Sequence, residues 1–164
     1  IISQLFWVAF AVLYFCAINA YFISYHDVPR ENIIDGLYFL AVMVLFLAVA
    51  ETLAKDLRDM ENDRESGKRT STVFLGHRIS SASSFVLSTI GISLWTYPHF
   101  MVYNSSLPLQ IAVGILTTGW ILISGFLCFS IFKEYSKKRS KQLHLGYLLT
   151  LTFILILTYI GGVN

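Results

Sequence analysis

Polar interruptions cut this chain into five apolar runs, at about residues 1–25, 33–54, 79–100, 109–132 and 143–163. Each run is close to the roughly 20 residues that an α-helix needs to cross about 30 Å of hydrocarbon. Between Ile79 and Phe132 there is no Asp, Glu, Lys or Arg. A stretch of that length cannot form a water-facing surface, and it suffices for two crossings. Pro29 breaks the polar turn at 26–31, Pro98 stands near the end of the third run, and Asn104, Ser105, Ser106 and Pro108 make the next connector. The pattern predicts an all-α, polytopic membrane helix bundle. Five transmembrane helices are expected in one membrane-embedded domain over residues 1–164.

Composition agrees with the pattern. The chain is 55% hydrophobic and 13% charged, against about 25% charged residues in an ordinary soluble domain. The net charge of +2 matters less than its distribution. Lys and Arg concentrate in the connectors at 55–78 and 133–141, and the positive-inside rule places both in the cytoplasm. The start of the chain is then cytoplasmic and Asn164 lies on the far side. Cys16 and Cys128 fall inside apolar runs and read as small buried hydrophobes. The chain begins at Ile1, without methionine, inside an apolar run, and is expected to be a portion of a longer protein.

One connector differs from the others. Six of the ten acidic residues lie between Glu51 and Glu65, and five of the twelve basic residues between Lys55 and Arg69. Asp56, Asp59 and Asp63 are spaced three and four apart, which puts them on one face of a helix continuing the second apolar run. Gly67 stands where such a helix would end. Two unit charges about 5.5 Å apart cost about 3 kcal/mol at an effective dielectric near 20. The negative end of the helix dipole adds to the cost. Lys55, Arg58 and Arg64 offset part of it, and a hard cation such as Mg²⁺, shared between carboxylates and substrate phosphate, would offset more. The same spacing also suits a solvated, salt-bridged face.

Other motifs fail. Gly67-Lys68-Arg69-Thr70 is not a phosphate loop, since Asn62 stands where its first glycine belongs. His26, His77, His99 and His144 are scattered among connectors and span ends and share no metal-ligand spacing; each reads as an interfacial polar residue.

The run from Asp56 through Asp59, Asp63, Gly67 and Thr70, followed by Leu75-Gly76, closely resembles the second aspartate-rich motif of UbiA-type intramembrane prenyltransferases. Two spans before this motif and three after it resemble the C-terminal part of that family's nine-helix fold. The resemblance implies Mg²⁺-dependent transfer of a prenyl group from an isoprenyl diphosphate to a lipophilic, often aromatic, acceptor. It implies a metal-binding, catalytic pair in Asp59 and Asp63, joined by Asp56, with Arg58, Arg64 and Lys68 toward the diphosphate. Membrane lipid is an expected partner and nucleic acid is not. Glu51, one turn before Asp56, is a supporting candidate. The sequence departs from the family in lacking a first aspartate-rich motif, and Tyr21 is followed by Tyr25 where the family's Tyr–Lys element has its lysine. Either an N-terminal half precedes Ile1 or this is an incomplete relative. Two rivals stand beside this reading. One is another membrane diphosphate enzyme such as a CDP-alcohol phosphotransferase, whose Asp-Gly and Ala-Arg pairings are absent. The other is a non-catalytic subunit whose charged loop docks a partner.

Overall fold

The computed structural model describes residues 30–101 and 106–162. The expected first span, Pro29 and Asn164 lie outside them. Among the described residues every element is an α-helix: α1 Arg30–Glu65, α2 Ser71–Met101, α3 Leu107–Lys133 and α4 Lys137–Gly162.

The second apolar run and the charged segment form one helix, as expected. At about 1.5 Å per residue, the 36 residues of α1 reach about 54 Å, well beyond a hydrocarbon layer of about 30 Å. The aspartates therefore stand on a rigid helical extension. It ends as Gly67 predicts, at a left-handed φ of 70°. Gly67 N–H donates to the Arg64 carbonyl at 3.2 Å and Lys68 N–H to the Asp63 carbonyl at 2.8 Å, the paired bonds of a Schellman cap.

The aspartate-rich motif segment, expected to fill residues 55–76 as a cytoplasmic loop or helix, turns back sooner than that. Ser71 already begins α2, which carries a backbone break at Gly76 (φ 78°, ψ 163°). Pro108 sits in the first positions of α3, where its missing N–H costs nothing. The expected basic connector 133–141 shrinks to residues 134–136, because α4 takes up Lys137, Lys138, Arg139 and Lys141 as its first turns.

Five transmembrane helices are not supported. The described residues carry four helices, and two stretches, Ser71–Tyr97 and Leu107–Lys133, are long and apolar enough to cross a membrane. The basic start of α4 and the charged end of α1 merge with their apolar runs into helices of mixed character.

Short connectors make consecutive helices antiparallel neighbours, and α4 returns to pack on α1, closing a ring of four. Met43, Val44, Leu47, Ala50, Ala54 and Leu57 recur at three- and four-residue spacing and form the buried face of α1. Ile92, Trp95, Val113, Trp120, Ile131, Leu143 and Tyr147 complete the core. Polar links join the seams. Ser84 O–H donates to the Ala50 carbonyl at 2.9 Å, and Tyr147 O–H donates to the Ser84 carbonyl at 2.8 Å. The Thr96 and Thr117 hydroxyls meet at 2.6 Å. Trp120 stacks edge-on against Tyr147 at 4.7 Å between centroids.

Small hydroxyls share the interior with the apolar core, and many large apolar groups face outward. Ser80, Ser81, Ser84, Ser88, Ser124 and Thr150 are buried, whereas Ile115, Leu122, Phe126, Leu149 and Phe153 are exposed. Outward-facing apolar side chains and small residues at the helix contacts are features that helices packed in lipid also show.

Candidate functional site

The charged end of α1 is ringed by other elements, because both short connectors, 66–70 and 134–136, fall at that end of the bundle. Ser71, opening α2, donates its hydroxyl to Asp56 Oδ2 at 3.0 Å. Lys68 Nζ lies 3.6 Å from Asp63 Oδ1. From the other connector, Tyr135 O–H donates to the Leu57 carbonyl at 3.0 Å, and its ring lies 6.1 Å from that of His77. Lys137 Nζ donates to Asn62 Oδ1 at 3.1 Å and stands 3.6 Å from Glu61 Oε2.

The three aspartates divide by environment. Asp56 and Asp63, two helical turns apart, are buried, at 6% and 8% exposure. Asp59 is turned about 60° around the axis from Asp56, and its side chain is 35% exposed. It is held in a fork by its neighbour: Arg58 Nε donates to Oδ1 at 2.8 Å and Nη2 to Oδ2 at 2.6 Å. The hydrogen bonds from Arg58, and then its charge and that of Lys55, hold the Asp59 carboxyl below the usual carboxylate range. The same bonds raise the Arg58 guanidinium further. Burial, followed by the negative charges of Glu61 and Asp59, pushes the Tyr135 phenol up.

The expected ridge is thus a buried pair, Asp56 and Asp63, flanked by an arginine-bound Asp59. Among the described residues no three His, Cys, Asp or Glu side chains converge tightly enough to hold a metal by themselves. Of the expected diphosphate cations, Arg58 is engaged with Asp59, Lys68 is near Asp63, and Arg64 is exposed. An open apolar groove of about 620 Å³, lined by Phe100, Leu107, Ile111, Ile115 and Leu122 among others, runs along the part of α3 away from the aspartates.

Deeper along α1, Glu51 Oε1 lies 3.1 Å from Nδ1 of His144 on α4. Nδ1 is buried and lacks the alignment of a hydrogen bond. Ser71, Tyr135, Lys137 and His144 carried no local signal in the sequence. Each acts across a gap of 15 to 93 positions. A histidine within an otherwise apolar run, matched by a lone glutamate in another, was the available clue.

No family model matches the chain, and neither does a solved structure. Digeranylgeranylglyceryl phosphate synthase of Methanobrevibacter smithii is 29% identical over 126 residues, which cover 74% of this chain and 42% of the relative. The chain therefore spans about two fifths of the length of the curated relative it matches.

Proposed function

We propose that this chain is part of an integral membrane prenyltransferase of the UbiA type, and that the charged end of α1 grips the diphosphate of an isoprenyl donor. The observation that carries this reading is the burial of Asp56 and Asp63 on one helix face, with Lys68 3.6 Å from Asp63; Arg58, bound to Asp59, and the exposed Arg64 lie elsewhere around the same end of α1. The similarity to a synthase named for a geranylgeranyl-bearing glyceryl phosphate supports it. That name also favours a lipophilic alcohol over an aromatic ring as acceptor.

The donor set suits a hard divalent cation, since it consists of carboxylate oxygens with hydroxyl support from Ser71. Among the described residues no three such ligands converge, so substrate phosphate would have to complete the shell. Asp56, Asp59 and Asp63 would hold Mg²⁺, which supplies positive charge against the diphosphate when bound. The chain's own cations work in the same direction. The allylic carbon–oxygen bond breaks with its electron pair on the diphosphate, and Arg58, Arg64 and Lys68 stabilise that charge. The apolar bundle below excludes water from the allylic cation until the acceptor attacks.

The test uses the full-length protein and a non-reactive prenyl thiodiphosphate. Calorimetry should show Mg²⁺-dependent binding, and Asp63→Ala and Asp59→Ala should each abolish turnover while the helical circular dichroism signal stays unchanged. Absence of metal-dependent binding would leave the charged segment a docking surface.

A further inference from the structure

The scheme above does not use Glu51 and His144, a carboxylate and an imidazole that meet between α1 and α4. Their side chains are 21% and 12% exposed and come from α1 and α4. Placing a carboxylate and an imidazole there is costly, and such groups in a membrane bundle face the interior or a cavity. Lys55, Arg58 and Asp59 of α1 act electrostatically on His144, and Lys55, Arg58 and Asp56 on Glu51. The pair therefore belongs to the same electrostatic unit as the aspartate end. Glu51 precedes Asp56 by five residues, which sets it about 8 Å deeper along the helix. A diphosphate gripped at the aspartates puts its reacting carbon at that inward side.

We propose that His144 is the base that takes the proton from the acceptor, oriented by Glu51. The inference rests on the prenyl-transfer reading. Nδ1 lies 3.1 Å from the carboxylate without the alignment of a hydrogen bond; a rotation of the ring that aims an Nδ1 proton at Glu51 leaves the Nε2 lone pair on the opposite side of the ring for the substrate. The acceptor hydroxyl oxygen forms a bond to the allylic carbon as the carbon–diphosphate bond breaks. The bonding pair leaves with pyrophosphate, and the hydroxyl proton passes to Nε2. Glu51 then balances the imidazolium charge. A carboxylate holding an imidazole in this way is the arrangement that general-base catalysis uses elsewhere.

The experiment compares unsubstituted full-length protein with His144→Asn, His144→Ala and Glu51→Gln. The expected result is a fall in kcat of about 100-fold or more for both His144 variants, with loss of the acidic limb of the pH–kcat profile. Binding of the prenyl thiodiphosphate with Mg²⁺ should change less than about threefold, and added imidazole should restore part of the turnover of His144→Ala. In ¹⁵N-histidine spectra, Glu51→Gln should shift the His144 titration. Unchanged kcat and pH profile in His144→Asn overturn the proposal while leaving the prenyl-transfer reading standing. Parallel loss of turnover and donor-analogue binding in that variant also overturns it, since His144 would then support structure or donor binding. If the unsubstituted protein fails to bind the analogue, both readings fall.

Discussion

Replacing Gly76 with alanine isolates one term in the stability of this bundle. Gly76 holds φ 78° and ψ 163° inside α2, a region that residues with a Cβ enter at a cost of about 1–3 kcal/mol. A Cβ built there meets nothing within 4 Å, so the whole cost is backbone strain. Gly119 supplies the control: it lies inside α3 and its Cβ also meets nothing within 4 Å, without a positive φ. Alanine at Gly119 should gain about 1 kcal/mol through helix propensity. The two variants should therefore differ by about 2–4 kcal/mol. At roughly 2–4 °C per kcal/mol for a chain of this size, Gly76→Ala should melt about 4–16 °C below Gly119→Ala in one detergent. Gly76→Ala should also loosen the Ser71–Asp56 hydrogen bond, since the break sets the angle of the first α2 turn. Equal melting temperatures for the two variants would refute the argument.

Other consequences follow from the same contacts. Asp59 is held below its ordinary value by Arg58, so its contribution to stability is complete above about pH 4 and is lost as pH falls through the depressed folded value. Thermal melts of Arg58→Ala should show a shallower acid slope than the parent. Tyr147→Phe should cost about 1 kcal/mol, because it removes only the hydroxyl joining α4 to Ser84. Tyr147→Ala should cost about 3–5 kcal/mol, because it also removes the buried ring packed on Trp120; denaturation in mixed micelles would distinguish the two. Lys138→Ala, at an exposed position, should leave both turnover and melting near the parent values. Lys137→Ala should lower stability by about 0.2–1 kcal/mol through its lost contacts with Asn62 and Glu61.

Local chemistry was legible where neighbours in sequence are neighbours in space. The helical continuation through Asp56, Asp59 and Asp63 and the stop at Gly67 depend on i, i+4 geometry and a left-handed cap, and both are found. Boundaries were read less well. Basic residues at 137–141 looked like a loop because charge interrupts an apolar run, yet a helix tolerates them wherever its solvent-facing turns extend past the apolar layer. The break at Gly76 was not legible beforehand, since any glycine permits such a backbone conformation and few adopt it.

The sequence by itself determined that this chain is helical and apolar, and that its charges gather on the end of one long helix. Hydrophobic period, helix-stop chemistry and the cost of charge in hydrocarbon act locally and leave their mark residue by residue. Tertiary structure decided which of those charges are enclosed and which are exposed. Asp56 and Asp63 turn inward against the start of α2, Asp59 is diverted to Arg58, and Glu51 finds His144 across the bundle. These pairings depend on the order in which four helices close into a ring, and no stretch of sequence contains that order.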